Sequence, residues 1–313
     1  MLRVENLRIT LRGTPIIRNL SFSLDRGEAL GVVGESGSGK SMTALAIMGL
    51  LPGLMRAEGK VIFEGENLLD LDDDAMCLYR GRRIGMIFQE PMTALNPVHQ
   101  VGDQIAETLV LHGLMDRVAA LREATRLLDR VGIEDASRRV SSYPHELSGG
   151  QRQRVMIAMA MSCKPSLLIA DEPTSALDVT VQSEILDLLR DLRLQEGMAT
   201  LFISHDLAVI ARIARRTLVL YGGAAMETGD TGVLLKSPRH PYTKGLLAAL
   251  PHGHSRGTRL SPIPGFVPAA KHLAPGCPFH GRCPRGDETC ADFPPPPSFE
   301  ATTAWCFHPE RGS

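Results

Sequence analysis

The chain has 313 residues, 43% of them hydrophobic and 22% charged, which supplies apolar material for a core and too little polar bias for disorder. With 34 Lys plus Arg against 35 Asp plus Glu the formal net charge is -1, and this argues against a protein built mainly to coat nucleic acid, since that binding rests on a basic surplus. No stretch reaches the roughly 20 apolar residues of a membrane-spanning helix. The longest, residues 42–55, is broken by Pro52-Gly53, and the N-terminus MLRVENLRIT lacks a secretory apolar segment. The expectation is a soluble, cytosolic chain whose membrane role would come through a partner.

Residues 29–33 read as a strand that feeds GESGSGKS, followed by residues 42–51, apolar on all sides and so expected as a buried helix stopped by Pro52-Gly53. Short β-rich runs recur at 61–63, 84–88, 167–170, 200–203 and 217–221. From about residue 103 to 162 the pattern is helical without a strand, which predicts an inserted helical subdomain, about 90–165. Residues 179–194 place Ile185, Leu188, Leu189 and Leu192 on one helical stripe. The alternation predicts an α/β layered fold with a largely parallel sheet. Of 21 prolines, 14 fall between Ser237 and Ser313, with four of six cysteines and six of ten histidines. Proline cannot continue helices or central strands, so residues 237–313, from SPRHPY onward, are expected to form an irregular Cys/Pro-rich extension on a core of residues 1–236.

Gly34, Glu35, Ser36, Gly37, Ser38, Gly39, Lys40 and Ser41 fit G-x-x-x-x-G-K-[ST] between an expected strand and an expected helix. The glycines let successive N–H groups turn inward around phosphate oxygens, the helix N-terminus adds its positive end, Lys40 reaches the β- and γ-phosphates, and the Ser41 hydroxyl can bind Mg²⁺. The buried-strand run at 167–170 delivers Asp171-Glu172 to the strand's C-terminal end, where open α/β sheets bind ligands. There Asp171 suits Mg²⁺, and Glu172 suits polarisation of the attacking water.

These two elements specify a P-loop nucleotidase. Leu147-Ser148-Gly149-Gly150-Gln151 narrows it, because LSGGQ is the signature of ATP-binding cassette (ABC) ATPases, a P-loop (RecA-like) family that this sequence resembles over residues 1–236. Gln89 in MIFQEP matches the Q-loop glutamine, Ser175-Ala176-Leu177-Asp178 the D-loop, and His205 in ISHD the switch histidine. The resemblance implies that Lys40 and His205 stabilise γ-phosphate charge and that Ser41, Gln89 and Asp171 manage Mg²⁺. It further implies that Ser148, Gly149, Gly150, Gln151 and Asp178 act on ATP held by a second, identical or paralogous cassette. Ser148 and the following glycine backbone are expected to open a helix at Gln151, a second anion-binding N-terminus. LRITLRG puts Leu11, then Arg12, where the family commonly carries an adenine-stacking aromatic. An apolar contact or a guanidinium stack is expected to replace it.

FQEPMTALNP, VGDQIAE, YPHELSGGQRQRVMIAMA, HPYTKGLLAALP and PIPGFVP extend the resemblance to the dipeptide, oligopeptide and nickel importer ATPases over nearly the whole chain. It implies a peripheral subunit on the cytoplasmic face of the cell membrane, two permease subunits docked on residues 89–102, an extracytoplasmic solute-binding protein acting indirectly, and no nucleic-acid partner. The cargo it implies is a peptide, with nickel, glutathione or opines as alternatives. A soluble non-transport ABC protein and a catalytically dead cassette are the rival classes. Cys277, Cys283, Cys290 and Cys306 stand as C-x5-C-x6-C-x15-C, and clustered thiols in a reducing compartment favour a metal centre over disulfides. The spacing is neither a zinc ribbon nor a standard ferredoxin run. Its resemblance to the four-cysteine tail of the peptide ATPases implies a [4Fe–4S] cluster, with Zn²⁺ the alternative and His280 or His308 as possible zinc ligands, and a structural staple is its expected role.

The remaining features take ordinary readings. The acidic run Asp70, Asp72, Asp73, Asp74 is expected as a solvated turn and helix start, Met156, Met159 and Met161 as core, and Arg80, Arg82 and Arg83 as a surface cluster. Cys77, Cys163, His252 and His254 are assigned no chemistry.

Overall fold

The structure, a computed structural model, describes residues 1–175, 177–250, 262–292, 297–299 and 302–310. His252 and His254 lie outside the described residues. In chain order the described strands are β1 (Leu2–Leu11), β2 (Thr14–Leu24), β3 (Ala29–Val33), β4 (Met55–Phe63), β5 (Glu66–Asn67) and β6 (Ile84–Ile87). They continue as β7 (Leu167–Asp171), β8 (Ala199–Ser204), β9 (Arg216–Tyr221), β10 (Ala224–Asp230), β11 (Pro297–Phe299) and β12 (Thr303–Trp305). The chain packs into two compact units, one of residues 1–24, 29–69 and 204–313, the other of residues 25–28 and 70–203.

In the first unit an antiparallel sheet runs β2-β1-β4-β5. β1 and β2 meet through Arg12-Gly13, whose φ values of 49° and 83° make a two-residue turn with both central positions left-handed, the geometry that suits strand twist. Leu11 thus ends a strand, and Arg12 sits exposed at the hairpin tip. Neither strand follows simple alternation: β1 buries Leu2, Val4, Leu7 and Ile9, and the phase slips at Asn6, where φ is +50°. β3 pairs in parallel with β9, Leu30 opposite Arg216 and Val33 opposite Val219. β10 pairs antiparallel with β9, and β12 and β11 continue antiparallel beyond it. The C-terminal extension is therefore less irregular than its proline content suggests, for it lends two short strands to the edge at β10.

In the second unit β6, β7 and β8 lie parallel, in the order β8-β7-β6. Every side chain of Leu167, Leu168, Ile169 and Ala170 is buried, each larger one contributing about 2 kcal/mol to holding the strand in place. Between β6 and β7 the chain is helical, with helices Val101–Leu111, Arg117–Arg130 and Gly149–Met161. Met156 and Met161 are buried core residues, as expected. Asp72 caps helix Asp73–Cys77 by accepting the Ala75 amide at 2.9 Å, and Asp73 pairs with Arg80 at 2.6 Å, so the acidic run is a helix start. Helix Val179–Glu196 buries Ile185, Leu189 and Leu192 from its expected stripe. Among the described residues no helix is long and apolar enough to cross a membrane.

Candidate functional site

The phosphate loop runs from the end of β3 into helix Lys40–Ile47, which starts two residues earlier than its apolar pattern suggests. Gly39, just before the helix, has φ +100°, and a Cβ there would strike Ile17. A Cβ on Gly34 would strike the Leu220 carbonyl and lie 2.8 Å from Ser38 Oγ. Both positions demand glycine for backbone reasons. The helix has no side-chain cap at Gly39, so its first amides have no side-chain acceptor. Ser38 is fully buried, and its Oγ has no hydrogen-bond partner among the described residues. Lys40 is buried and donates from Nζ to the carbonyls of Gly34 at 2.8 Å and Glu35 at 3.1 Å. A helix N-terminus without a side-chain cap, an unsatisfied buried hydroxyl and a buried ammonium fit a polyphosphate.

In the second unit Asp171 ends β7, buried, opposite Ile203 of β8. Glu172 has φ +47°, a left-handed backbone that costs a non-glycine residue about 1 kcal/mol, held by its amide donating to the Ile203 carbonyl at 2.9 Å. Gln89 donates from Nε2 to Glu172 Oε2 at 3.0 Å, and Ser175 Oγ donates to the Gln89 carbonyl at 3.1 Å. The Q-loop glutamine, the acidic pair and the D-loop serine are brought together.

Ser148 caps helix Gly149–Met161, so the helix opens at Gly149, two residues before the expected Gln151. The difference has a physical cause. Ser148 Oγ accepts the Gln151 amide at 3.3 Å while Gln151 Oε1 accepts the Ser148 amide at 3.0 Å, a reciprocal capping box that fixes both residues at the boundary. A Cβ on Gly150 would meet Val181 Cγ1 at 2.9 Å, whereas Gly149 faces open space. Asp178 caps helix Val179–Glu196, accepting the amides of Thr180 and Val181 at 3.1 and 3.0 Å. In the first unit His205 is exposed, between Ser204 and Asp206, whose carboxylate caps the next helix.

Cys277, Cys283, Cys290 and Cys306 line one small enclosed cavity with His240, His280, Phe307 and His308. Burial raises all four thiols, Cys277 to about 12 and Cys306 to about 11, with the neighbouring cysteines adding to both. Backbone groups oppose burial: those of Phe279 at Cys277, of Arg285 and Gly286 at Cys283, and the His308 amide donating to Cys306 Sγ at 3.3 Å. Peptide dipoles aimed at sulfur favour thiolate, so the pocket fits a cationic centre. Burial also depresses His240 to about 3, keeping it neutral. Its Nδ1 accepts the Tyr242 amide at 3.0 Å, which leaves the proton on Nε2, a buried donor with no partner among the described residues. Glu227 of β10, fully buried, accepts the amides of Arg239 and His240, each at 2.9 Å, and the Thr302 hydroxyl at 2.7 Å. Motif spacing gave no signal for Glu227 or Arg282; HPY stands in the sequence, but without a role to attach to His240 and Tyr242.

Residues 17–175 match the profile of the family described as ABC transporter, and residues 226–290 match that of the oligopeptide/dipeptide transporter C-terminal region. The oligopeptide transport ATP-binding protein OppD of Escherichia coli (strain K12) is 47% identical over 315 residues, covering 99% of this chain and 93% of that protein. This chain belongs to the ABC transporter family. A putative peptide import ATP-binding protein of Brucella melitensis is 48% identical over 303 residues, covering 92% of this chain and 89% of that protein. Among solved structures, the dimeric post-hydrolysis state of the ATP-binding cassette MJ0796 bound to ADP and Pi superposes with a TM-score of 0.66 at 28% identity, over 74% of this chain and 99% of that one. The ABC transporter match spans the phosphate loop, Gln89, the signature and Asp171-Glu172. The C-terminal match takes in Cys277, Cys283 and Cys290, and Cys306 lies beyond it.

Proposed function

We propose that this chain is the ATP-hydrolysing subunit that energises an ABC importer for peptides. The carrying observation is the phosphate loop of residues 34–41, with its uncapped helix and buried, unpartnered Ser38 hydroxyl, in a chain 47% identical to an oligopeptide transport ATP-binding protein. Lys40 and His205 stabilise γ-phosphate charge. Glu172 orients the attacking water, and Gln89, hydrogen-bonded to it, holds its carboxylate in place. Bound with ATP, Mg²⁺ supplies positive charge at the β- and γ-phosphates, and Ser41, Gln89 and Asp171 are the residues that would hold it.

The signature residues Ser148, Gly149, Gly150 and Gln151, with Asp178, serve a nucleotide carried by a second cassette, identical or paralogous. Two permease subunits dock on residues 89–102, where Val98 is 74% exposed, an apolar side chain of the kind a partner covers. The subunit works at the cytoplasmic face of the cell membrane, with an extracytoplasmic solute-binding protein delivering cargo to the permease. The four cysteines hold a [4Fe–4S] cluster. Around one zinc ion four sulfurs stand about 3.8 Å apart. Among the described residues, the three donors that close within 4.8 Å of one another are Asp287, Cys290 and His308, and the four sulfurs do not form such a set. The support for a metal centre is that all four thiols line one cavity.

Co-expression with the permease pair, followed by reconstitution in vesicles, tests the transport reading. The expected result is ATP turnover that accompanies uptake of a labelled oligopeptide and is lost with Glu172→Gln. Turnover that proceeds without a permease requirement and without peptide uptake would refute it. Iron and acid-labile sulfide analysis of anaerobically purified protein tests the cluster, and stoichiometric zinc without iron would refute it.

A further inference from the structure

Arg282 immediately precedes Cys283, yet its guanidinium reaches back across 247 positions to the phosphate loop. Nη1 lies 2.5 Å from Glu35 Oε2 and Nη2 lies 3.2 Å from Glu35 Oε1, a two-point ion pair in which the Arg282 side chain is 7% exposed and that of Glu35 29%. The guanidinium is further fixed by donating to the carbonyls of Pro264 at 2.8 Å and of Ile263 and Gly265 at 3.3 Å, and it lies over the Tyr221 ring at 5.6 Å. A second contact reaches the same residue: the Glu35 amide donates to the Tyr242 hydroxyl at 2.9 Å. Tyr242 follows His240 by two positions, and His240 lines the cysteine cavity. Phe279, two residues after Cys277, packs against Tyr221 and Tyr242 with ring centroids 5.2 and 5.1 Å away.

We propose that the cysteine module is a clamp on the phosphate loop, so that filling the four-cysteine site sets how tightly the chain holds MgATP, with Arg282 as the positioning residue that carries the effect to Glu35. This rests on reading residues 34–41 as the nucleotide seat and the four thiols as the holder of a metal centre. The reason is electrostatic as much as mechanical. Glu35 puts a carboxylate on the loop that must receive a polyanion, and an uncompensated negative charge there repels the phosphates. Arg282 cancels that charge with the planar fork that matches a carboxylate. Arg282 stays in register only while the turn from Cys277 to Cys283 is closed, and a centre bound to those thiols closes it. The buried Nε2–H of His240 supplies a donor to the same centre from the segment that carries Tyr242.

The test uses the full chain, purified anaerobically with its metal content measured, and reads the dissociation constant of a non-hydrolysable probe, MgAMP-PNP. Stripping the metal with a chelator under reducing conditions is expected to weaken binding by roughly tenfold. Arg282→Met is expected to weaken it similarly while the metal stays bound, and stripping that variant to cost little more. The double variant Glu35→Gln with Arg282→Met is expected to recover most of the loss, because the repelling charge is gone. Near-UV circular dichroism separates these effects from unfolding; should the stripped chain unfold, the two variants, which keep their metal, still decide the matter. Unchanged affinity in metal-loaded Arg282→Met overturns the clamp, as does failure of Glu35→Gln to rescue it. Stripping that weakens Arg282→Met as much as the parent chain overturns the route through Arg282. A chain that carries no metal as purified, or a parent chain that does not bind MgAMP-PNP, refutes the underlying reading instead and takes the proposal with it.

Discussion

Two helix N-termini in this chain are built from serine and glycine, and they treat their amides in opposite ways. The helix at Lys40–Ile47 begins at a left-handed glycine with no side-chain cap, so no side chain occupies its N-terminus. The helix at Gly149–Met161 begins with a complete capping box, in which Ser148 and Gln151 satisfy each other. The difference separates a seat from a contact surface. On the proposed function, the glycine geometry holds open a loop that cradles its own nucleotide, whereas the capping box keeps rigid a corner that would meet an anion brought by another subunit.

The largest break in this comparison is expected at the seat. Lys40→Ala removes the buried ammonium and should weaken MgATP binding about a thousandfold in equilibrium titration, with the isolated fold intact. A third N-terminus, at helix Pro241–Ala248, sharpens the point, because its cap His240 is held by the buried Glu227. Glu227→Ala strands three donors and should cost about 3 kcal/mol in denaturant unfolding, while Glu227→Gln, which keeps an acceptor, should cost less. His240 itself predicts a pH dependence. Unfolded, its imidazole takes a proton below its usual 6.5, while burial holds the folded ring neutral down to about 3. Stability is therefore full above that usual value and is lost as pH falls through the window between, by up to about 1.4 kcal/mol per unit, and His240→Asn, which offers a capping oxygen in place of Nδ1, should flatten the slope. The smallest effect is at the contact surface. Ser148→Ala should cost the isolated chain about 1 kcal/mol, read as a lower melting temperature, yet should abolish turnover in the assembled transporter.

The phosphate loop was legible because its chemistry lies in eight contiguous residues, and the same holds for the signature. The parallel strands were legible because β3, β7 and β8 are buried on both faces and so read as unbroken apolar runs. β1 and β2 were not, since left-handed residues at Asn6 and Asn19 shift each strand's buried set out of step. The cysteine spacing was visible, but the pairing of Arg282 with Glu35 and the three donors on Glu227 join residues far apart in sequence, and no local period records them. The helix starts at Lys40 and Gly149 each lie two residues before the sequence suggests, because a left-handed glycine in one and a serine–glutamine capping box in the other, rather than hydrophobicity, set them.

Sedimentation of Glu172→Gln with saturating MgATP tests most directly whether the rigid signature corner serves a partner's nucleotide. With the partner cassette supplied where the pair is mixed, the mass should rise from that of one chain to that of a cassette pair when MgATP is added, and stay that of one chain when Ser148→Arg is introduced as well. A single-chain mass under saturating MgATP, with the permease subunits supplied and Ser148 intact, would contradict the account.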